Sequence, residues 1–239
     1  LQPAHAHVAT HVLAAAPSAD VESLLRAAHQ PTSQTMSSKT ARLHYVVGPS
    51  GAGKDTLLAY ARERIEAPAA IAFAHRYITR PPRLGDENHV ALSAAEFATR
   101  LRAGLFALHW SSNGFSYGIG IEINQWLANG ISVVVNGSRS YLSEARRRFP
   151  GLSLIWVTAP AEVLEARIAR RGRESSAQAL ARLQRAARLE RKPPQPDLLI
   201  VNDSTTADAG ERLVQYLSGA QAEFGRPTTE ARVYDATTS

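Results

Sequence analysis

Seven consecutive residues, Gly48-Pro49-Ser50-Gly51-Ala52-Gly53-Lys54, have the types and spacing of a loop that holds phosphate. Glycines let such a loop curl until its N–H groups point inward, and the positive end of a following helix adds to the field. A lysine at its end reaches the β- and γ-phosphates of a nucleotide. The flanks agree: Leu43–Val47 reads as a buried strand, and a helical pattern runs on to about Glu66. Gly48, Pro49, Ser50, Gly51, Ala52, Gly53 and Lys54, with Asp55 and Thr56 behind them, are therefore the predicted ATP-binding residues, with Lys54 also catalytic.

The position after the lysine ordinarily carries a Ser or Thr hydroxyl for Mg²⁺, and here it is Asp55, followed by Thr56. A carboxylate is a hard oxygen donor that suits Mg²⁺ directly or through water, and its charge suits the first turn of a helix. The alternative gives Asp55 a capping role and leaves the metal to Thr56. Both are metal candidates, with the carboxylate preferred.

The elements that position this loop alternate between strand-like and helix-like segments, as in a parallel sheet with helical crossovers. Ile71–Ile78, Ile131–Val135, Leu152–Val157 and Leu198–Val201 read as further strands. Helices are predicted from Ser93, where Glu96 suggests a capping box, to Gly104; over Ile121–Asn129; from Pro160 to Arg171; over Ser175–Arg191; and over Ala209–Phe224. Residues 1–35 read as an N-terminal appendage of unassigned role, 36–220 as the catalytic domain and 221–239 as a polar tail. Met36 suits a natural start.

The chain has 239 residues with a formal net charge of +6, and its only lysines are Lys39, Lys54 and Lys192. An arginine-rich surface favours anionic ligands, either a nucleotide's phosphates or a nucleic acid. Cysteine is absent, which excludes a disulfide framework, thiolate metal ligands and a cysteine nucleophile. No stretch reaches 18 apolar residues and no leader pattern opens the chain, so the expectation is a soluble cytoplasmic protein without membrane or nucleic-acid partners.

Gly48–Lys54, Thr79-Arg80-Pro81-Pro82-Arg83, Tyr117-Gly118, Arg171-Gly172 and Arg182-Leu183, in this order and spacing, resemble the guanylate kinase family over about residues 43–218. The resemblance implies an α/β P-loop fold, a five-stranded parallel sheet flanked by helices, with an acceptor region and an arginine-bearing lid. It implies that Arg80, Arg83 and Tyr117 grip an acceptor phosphate, that Arg171 and Arg182 stabilise the transferring group, and that Asn202 and Asp203 lie in the adenine-side loop.

Two departures bear on the acceptor. Where guanylate kinases read guanine with a glutamate and a hydroxyl, this chain has Leu108 and Ile119, which offer no hydrogen bond. His89 stands where the family has a phosphate-binding tyrosine, and the segment after Arg83 is about three residues shorter. The Gly-Lys-Asp loop ending, and Val135-Asn136-Gly137-Ser138-Arg139 where guanylate kinases carry an aspartate, resemble a branch of the family acting on a sugar bisphosphate. That resemblance implies transfer from ATP, with Mg²⁺, to ribose 1,5-bisphosphate in phosphonate breakdown, giving 5-phosphoribosyl 1-diphosphate. Arg76, His89 and Arg139 are candidates for the second acceptor phosphate. A nucleoside monophosphate kinase and a non-catalytic guanylate kinase-like module are the competing readings, and retention of Lys54, Arg171 and Arg182 disfavours the second.

Overall fold

The computed structural model describes residues 41–65, 69–81, 89–170 and 195–219. The chain divides into two units, Leu1–Lys39 and Thr40–Ser239, and every described residue belongs to the second. The expected appendage, the helix over 175–191 and the polar tail lie outside the described residues, as do Arg83, Arg171 and Arg182.

Five strands form a parallel sheet: β1 (Leu43–Val47), β2 (Ile71–Phe73), β7 (Ser132–Asn136), β8 (Ser153–Thr158) and β9 (Leu198–Val201), in the order β2-β7-β1-β8-β9. Side chains alternate across a strand, and here both sets are apolar because both faces are covered. Tyr45, Val47, Val133, Val135, Leu154 and Trp156 join one core. Val46, Val134, Ile155, Val157 and Ile200 join the other, with Leu57, Leu58 and Ala61 of helix α1 (Lys54–Arg64) and Leu213 and Leu217 of α6 (Thr206–Ser218).

A second sheet covers the first of these cores. It contains β3 (Arg76–Ile78), β4 (His89–Ala91), β5 (Phe106–Ser112) and β6 (Phe115–Gly120), in the order β4-β3-β6-β5. Ile78, Ala107, Leu108, Trp110, Tyr117 and Ile119 reach from it into the core beneath the parallel sheet. Strands β5 and β6 are joined by Asn113-Gly114 with φ of 50° and 77°, the two left-handed residues that a tight hairpin requires.

The predicted single strand Ile71–Ile78 is two strands in different sheets. The Ala74 N–H donates to the Val134 carbonyl at 3.0 Å at the edge of the parallel sheet. Two residues later, Arg76–Ile78 pair with β6 and β4 instead. Helix α2 (Ala94–Arg102) is capped as predicted by Ser93 Oγ, which accepts from the Glu96 N–H at 3.1 Å, but the Glu96 carboxylate accepts from Arg100 rather than closing a box. The complete capping box is at Thr205 and Asp208, opening α6 at Thr206, ahead of the predicted Ala209. Gly219, at φ 69°, ends that helix short of Phe224.

Helix α3 (Glu122–Ala128), a 3₁₀ turn (Arg139–Tyr141), α4 (Leu142–Arg148) and α5 (Ala161–Arg170) complete the described elements.

Candidate functional site

The loop after β1 lies at the carboxyl end of the central strand, where the order of the parallel sheet turns back on itself and ligands are usually received. Its shape depends on close backbone approach. A Cβ at Gly48 would strike the Val157 carbonyl, and one at Gly53 would strike the Asn202 amide. Gly51 and Gly53 have φ of 87° and 89°, a region that glycine enters without strain. Gly53 then caps α1 with no side-chain hydrogen bond, so the cap itself leaves the first-turn donors to another acceptor.

The loop is fastened from three directions. The Lys54 ammonium donates to the carbonyls of Gly48 and Pro49, each at 3.0 Å, which tucks it inside the curl. Asn202, buried at 4% exposure, donates from Nδ2 to the Ala52 carbonyl at 2.8 Å. Arg167, on α5, donates from Nη1 to the Gly51 carbonyl at 3.5 Å. Asn202 thus holds the loop through its amide. Arg167 was not singled out in the sequence; its signal was its place on the helix predicted between Pro160 and Arg171, four residues before Arg171.

Asp55 is the junction between the two sheets. Its Oδ1 accepts from Asn136 Nδ2 at the end of β7 and from Arg76 Nη2 on β3 at 3.3 Å. The Arg76 side chain is 14% exposed against 37% for Asp55. Burial, the largest influence, lowers the Arg76 pKa, and the Asp55 charge opposes that shift. The Arg76 guanidinium also lies 5.8 Å from the centre of the Tyr117 ring, which is stacked on Trp110 at 5.5 Å. Asn136 is 7% exposed, and its Oδ1 is buried without a hydrogen-bond partner among the described residues. Thr56 is exposed.

The remaining acceptor candidates lie on the second sheet and in the turn after β7. Arg80 follows β3, and its exit is set by Thr79, whose N–H donates to the Ser116 carbonyl at 3.1 Å while its Oγ1 accepts from the Ser116 N–H at 2.9 Å. His89 is paired in register with Arg76, and its Nε2 is 3.5 Å from the Arg80 carbonyl oxygen. Arg139 opens the 3₁₀ turn after β7. That turn rests on Tyr45, whose hydroxyl accepts from the Ser138 N–H at 3.0 Å and donates to the Ser138 carbonyl at 3.2 Å. A Cβ at Gly137 would enter the Tyr45 ring, so the turn sits flat on it. Burial pushes the Tyr45 hydroxyl pKa up, so it stays a neutral donor.

Leu108 and Ile119 are partners across the β5–β6 hairpin, and both are fully buried. They belong to the core that joins the two sheets. No cluster of three His, Cys, Asp or Glu side chains is found among the described residues, and no helix among them is long and apolar enough to cross a membrane. A Mg²⁺ ion shared with a nucleotide needs only one or two protein ligands. The Asp55 carboxylate, with the Asn136 amide bound to it through Nδ2 and that amide's oxygen unpartnered among the described residues, fits such an ion.

A family model described as guanylate kinase matches residues 40–219. The ribose 1,5-bisphosphate phosphokinase PhnN of Thiobacillus denitrificans is 55% identical over 181 residues, spanning 76% of this chain and 95% of its own length. The protein of the same name in Chromobacterium violaceum is 50% identical over 186 residues, spanning 78% of this chain and 98% of its own. Among solved structures, guanylate kinase from Anaplasma phagocytophilum is similar in fold, with a TM-score of 0.58 at 17% identity over 77% of this chain and 89% of that one.

Proposed function

The chain belongs to the guanylate kinase family, and from that premise we propose that it transfers the γ-phosphoryl of ATP to the C1 phosphate of ribose 1,5-bisphosphate, giving 5-phosphoribosyl 1-diphosphate and ADP. The observation that carries the choice of acceptor is the pairing of Leu108 with Ile119. Where a guanine-reading site needs polar groups, two aliphatic side chains are packed against each other with no exposed surface. A ribose bisphosphate has no base to read. It needs cations and hydroxyl partners, and Arg76, Arg80, His89, Tyr117 and Arg139 supply them from one sheet and the adjoining turn.

The acceptor oxygen of a phosphate ester is already anionic near neutral pH, so positioning and charge neutralisation carry the reaction without a general base. The loop N–H groups and Lys54 hold the β- and γ-phosphates, and Asn202 and Arg167 hold the loop. Arg171 and Arg182 are assigned to the charge that spreads over the transferring group, and Arg83 joins Arg80 on the acceptor phosphate. Asp55, with Asn136 beside it or Thr56 assisting, would hold Mg²⁺, which neutralises phosphate charge when bound.

Coupled ADP-release assays with ribose 1,5-bisphosphate and GMP test this. With Leu108 and Ile119 sealed in the core, a guanine edge finds no polar partner at these positions and keeps two or more groups unpaired at about 1–3 kcal/mol each, so kcat/KM for GMP should fall below the sugar's by at least about 10². Equal or better turnover of GMP would return the enzyme to the nucleotide kinases.

A further inference from the structure

The ion pair between Asp55 and Arg76 connects two subsites that the fold builds separately. Asp55 stands in the first turn of α1, directly after the loop lysine. Arg76 stands on β3 of the second sheet, where its guanidinium also faces the Tyr117 ring. Arg80 is near enough for the two guanidinium charges to oppose each other. Repulsion of that kind is relieved by an anion between them, which is what an acceptor phosphate provides.

Two donors converge on the Asp55 carboxylate, and a third claimant would compete with them. Asn136 Nδ2 and Arg76 Nη2 both donate to its Oδ1. The third is a divalent cation, for which the second observation is Asn136 Oδ1, a buried carbonyl oxygen with no hydrogen-bond partner among the described residues. A buried oxygen in that condition is unfavourable unless a donor or cation arrives. A compact dication next to Asp55 also weakens the attraction that draws Arg76 to the same carboxylate.

We propose that Asp55 is contested: a divalent cation seated on Asp55 and Asn136 displaces the Arg76 guanidinium, which then serves an acceptor phosphate. Arg76 is thereby a coupling residue, making acceptor affinity depend on the metal-bound nucleotide. Linkage requires the reverse dependence to be equal, so acceptor must tighten the metal in the same ratio. The proposal rests on the phosphotransfer reading above but commits to which residue communicates.

Equilibrium binding tests it without turnover. Mn²⁺ affinity is measured by electron paramagnetic resonance in the presence of a non-hydrolysable ATP analogue, and ribose 1,5-bisphosphate affinity by calorimetry with and without Mn²⁺. In the wild-type protein, Mn²⁺ should tighten the bisphosphate about 5- to 10-fold or more. Arg76→Met should bind Mn²⁺ several-fold more tightly, bind the bisphosphate more weakly and lose the coupling. A merely structural role would weaken both ligands together, so the opposite signs are diagnostic. Asn136→Ala should weaken Mn²⁺ with the fold retained by thermal unfolding. Unchanged or weaker Mn²⁺ binding in Arg76→Met, a bisphosphate affinity indifferent to Mn²⁺ in the wild type, or unchanged Mn²⁺ affinity in Asn136→Ala each overturns the proposal. If the bisphosphate fails to bind at all, the acceptor reading falls, while the contest for Asp55 is judged on the Mn²⁺ measurements alone.

Discussion

The two sheets solve opposite problems. The parallel sheet is covered on both faces, its central strand is fully buried, and the site it presents is mostly backbone: a curled loop, two left-handed glycines and a helix end. The second sheet has strands of three to seven residues, and what it presents is mostly side chains, including Arg76, Arg80, His89 and Tyr117. A site made of backbone demands particular glycines at particular offsets and tolerates little drift. A site made of side chains can change its ligand by changing a few residues, which is the role proposed for the apolar Leu108 and Ile119, while the arginines stay.

The hardest test of that contrast is Lys54→Ala. The lysine is held at the loop by two carbonyls and packs no core, so its loss should leave thermal unfolding nearly unchanged. Turnover should fall by at least about 10²–10³, the effect of removing one charge-stabilising donor from a transition state. Steady-state ADP release, together with an unfolding scan, checks both halves. Retention of more than a tenth of wild-type kcat would mean that the loop is not where the chemistry occurs.

A second test reads the parallel sheet away from its site. His44 is buried on β1 against Tyr216, at a ring separation of 5.9 Å, and burial is the main reason its pKa falls from 6.5 to about 4. With the folded value below the unfolded one, the unfolded chain binds more protons between them. Stability is therefore complete above about pH 6.5 and declines as the pH drops toward 4, by about 3 kcal/mol over that window. Denaturant midpoints at pH 7 and pH 4.5 measure it, and His44→Phe should remove much of the slope. An unchanged slope would place the acid sensitivity elsewhere.

What could be read from the sequence follows the same division. The glycine loop, the sheet that carries it and the helix after it were legible because strand, glycines and lysine all constrain one another. Ile71–Ile78 misled because its apolar run gives no sign that Ala74 and His75 carry the chain from one sheet to the other. The β5–β6 hairpin carried its own signal in Asn113-Gly114 between β-rich segments, and the turn was not read. Asn136 came from resemblance alone, since its importance depends on a contact with Asp55, 81 residues earlier in the chain. Arg83, Arg171 and Arg182 stay assigned by resemblance.

Asn202→Ala gives an intermediate effect that separates the two ends. The Ala52 carbonyl would lose its buried donor, a change worth about 1–3 kcal/mol in stability. Because that donor holds the loop and touches nothing on the second sheet in the contacts described, the KM for ATP should rise by about tenfold while the acceptor KM holds steady. Equal rises in both constants would mean that the loop and the acceptor sheet move together.

The smallest effect, and the one that most sharpens the comparison, is expected from Gly114→Ala in the hairpin turn. Gly114 sits at φ 77°, and a Cβ built there would meet nothing within 4 Å. No neighbour can contribute to the result, so the whole effect is the strain of holding an L-residue in a left-handed conformation, about 1 kcal/mol. That strain falls on the loop joining β5 to β6, and β6 carries Tyr117, three positions after Gly114 through Phe115 and the Ser116 that fixes Thr79. A small rise in acceptor KM should follow, with the ATP KM and nucleotide affinity unmoved, because the parallel sheet has no strand in this turn. Parallel measurement of the two constants in one variant decides it: a shift in the ATP constant as large as that in the acceptor constant would show that the second sheet does not carry the acceptor independently of the nucleotide loop.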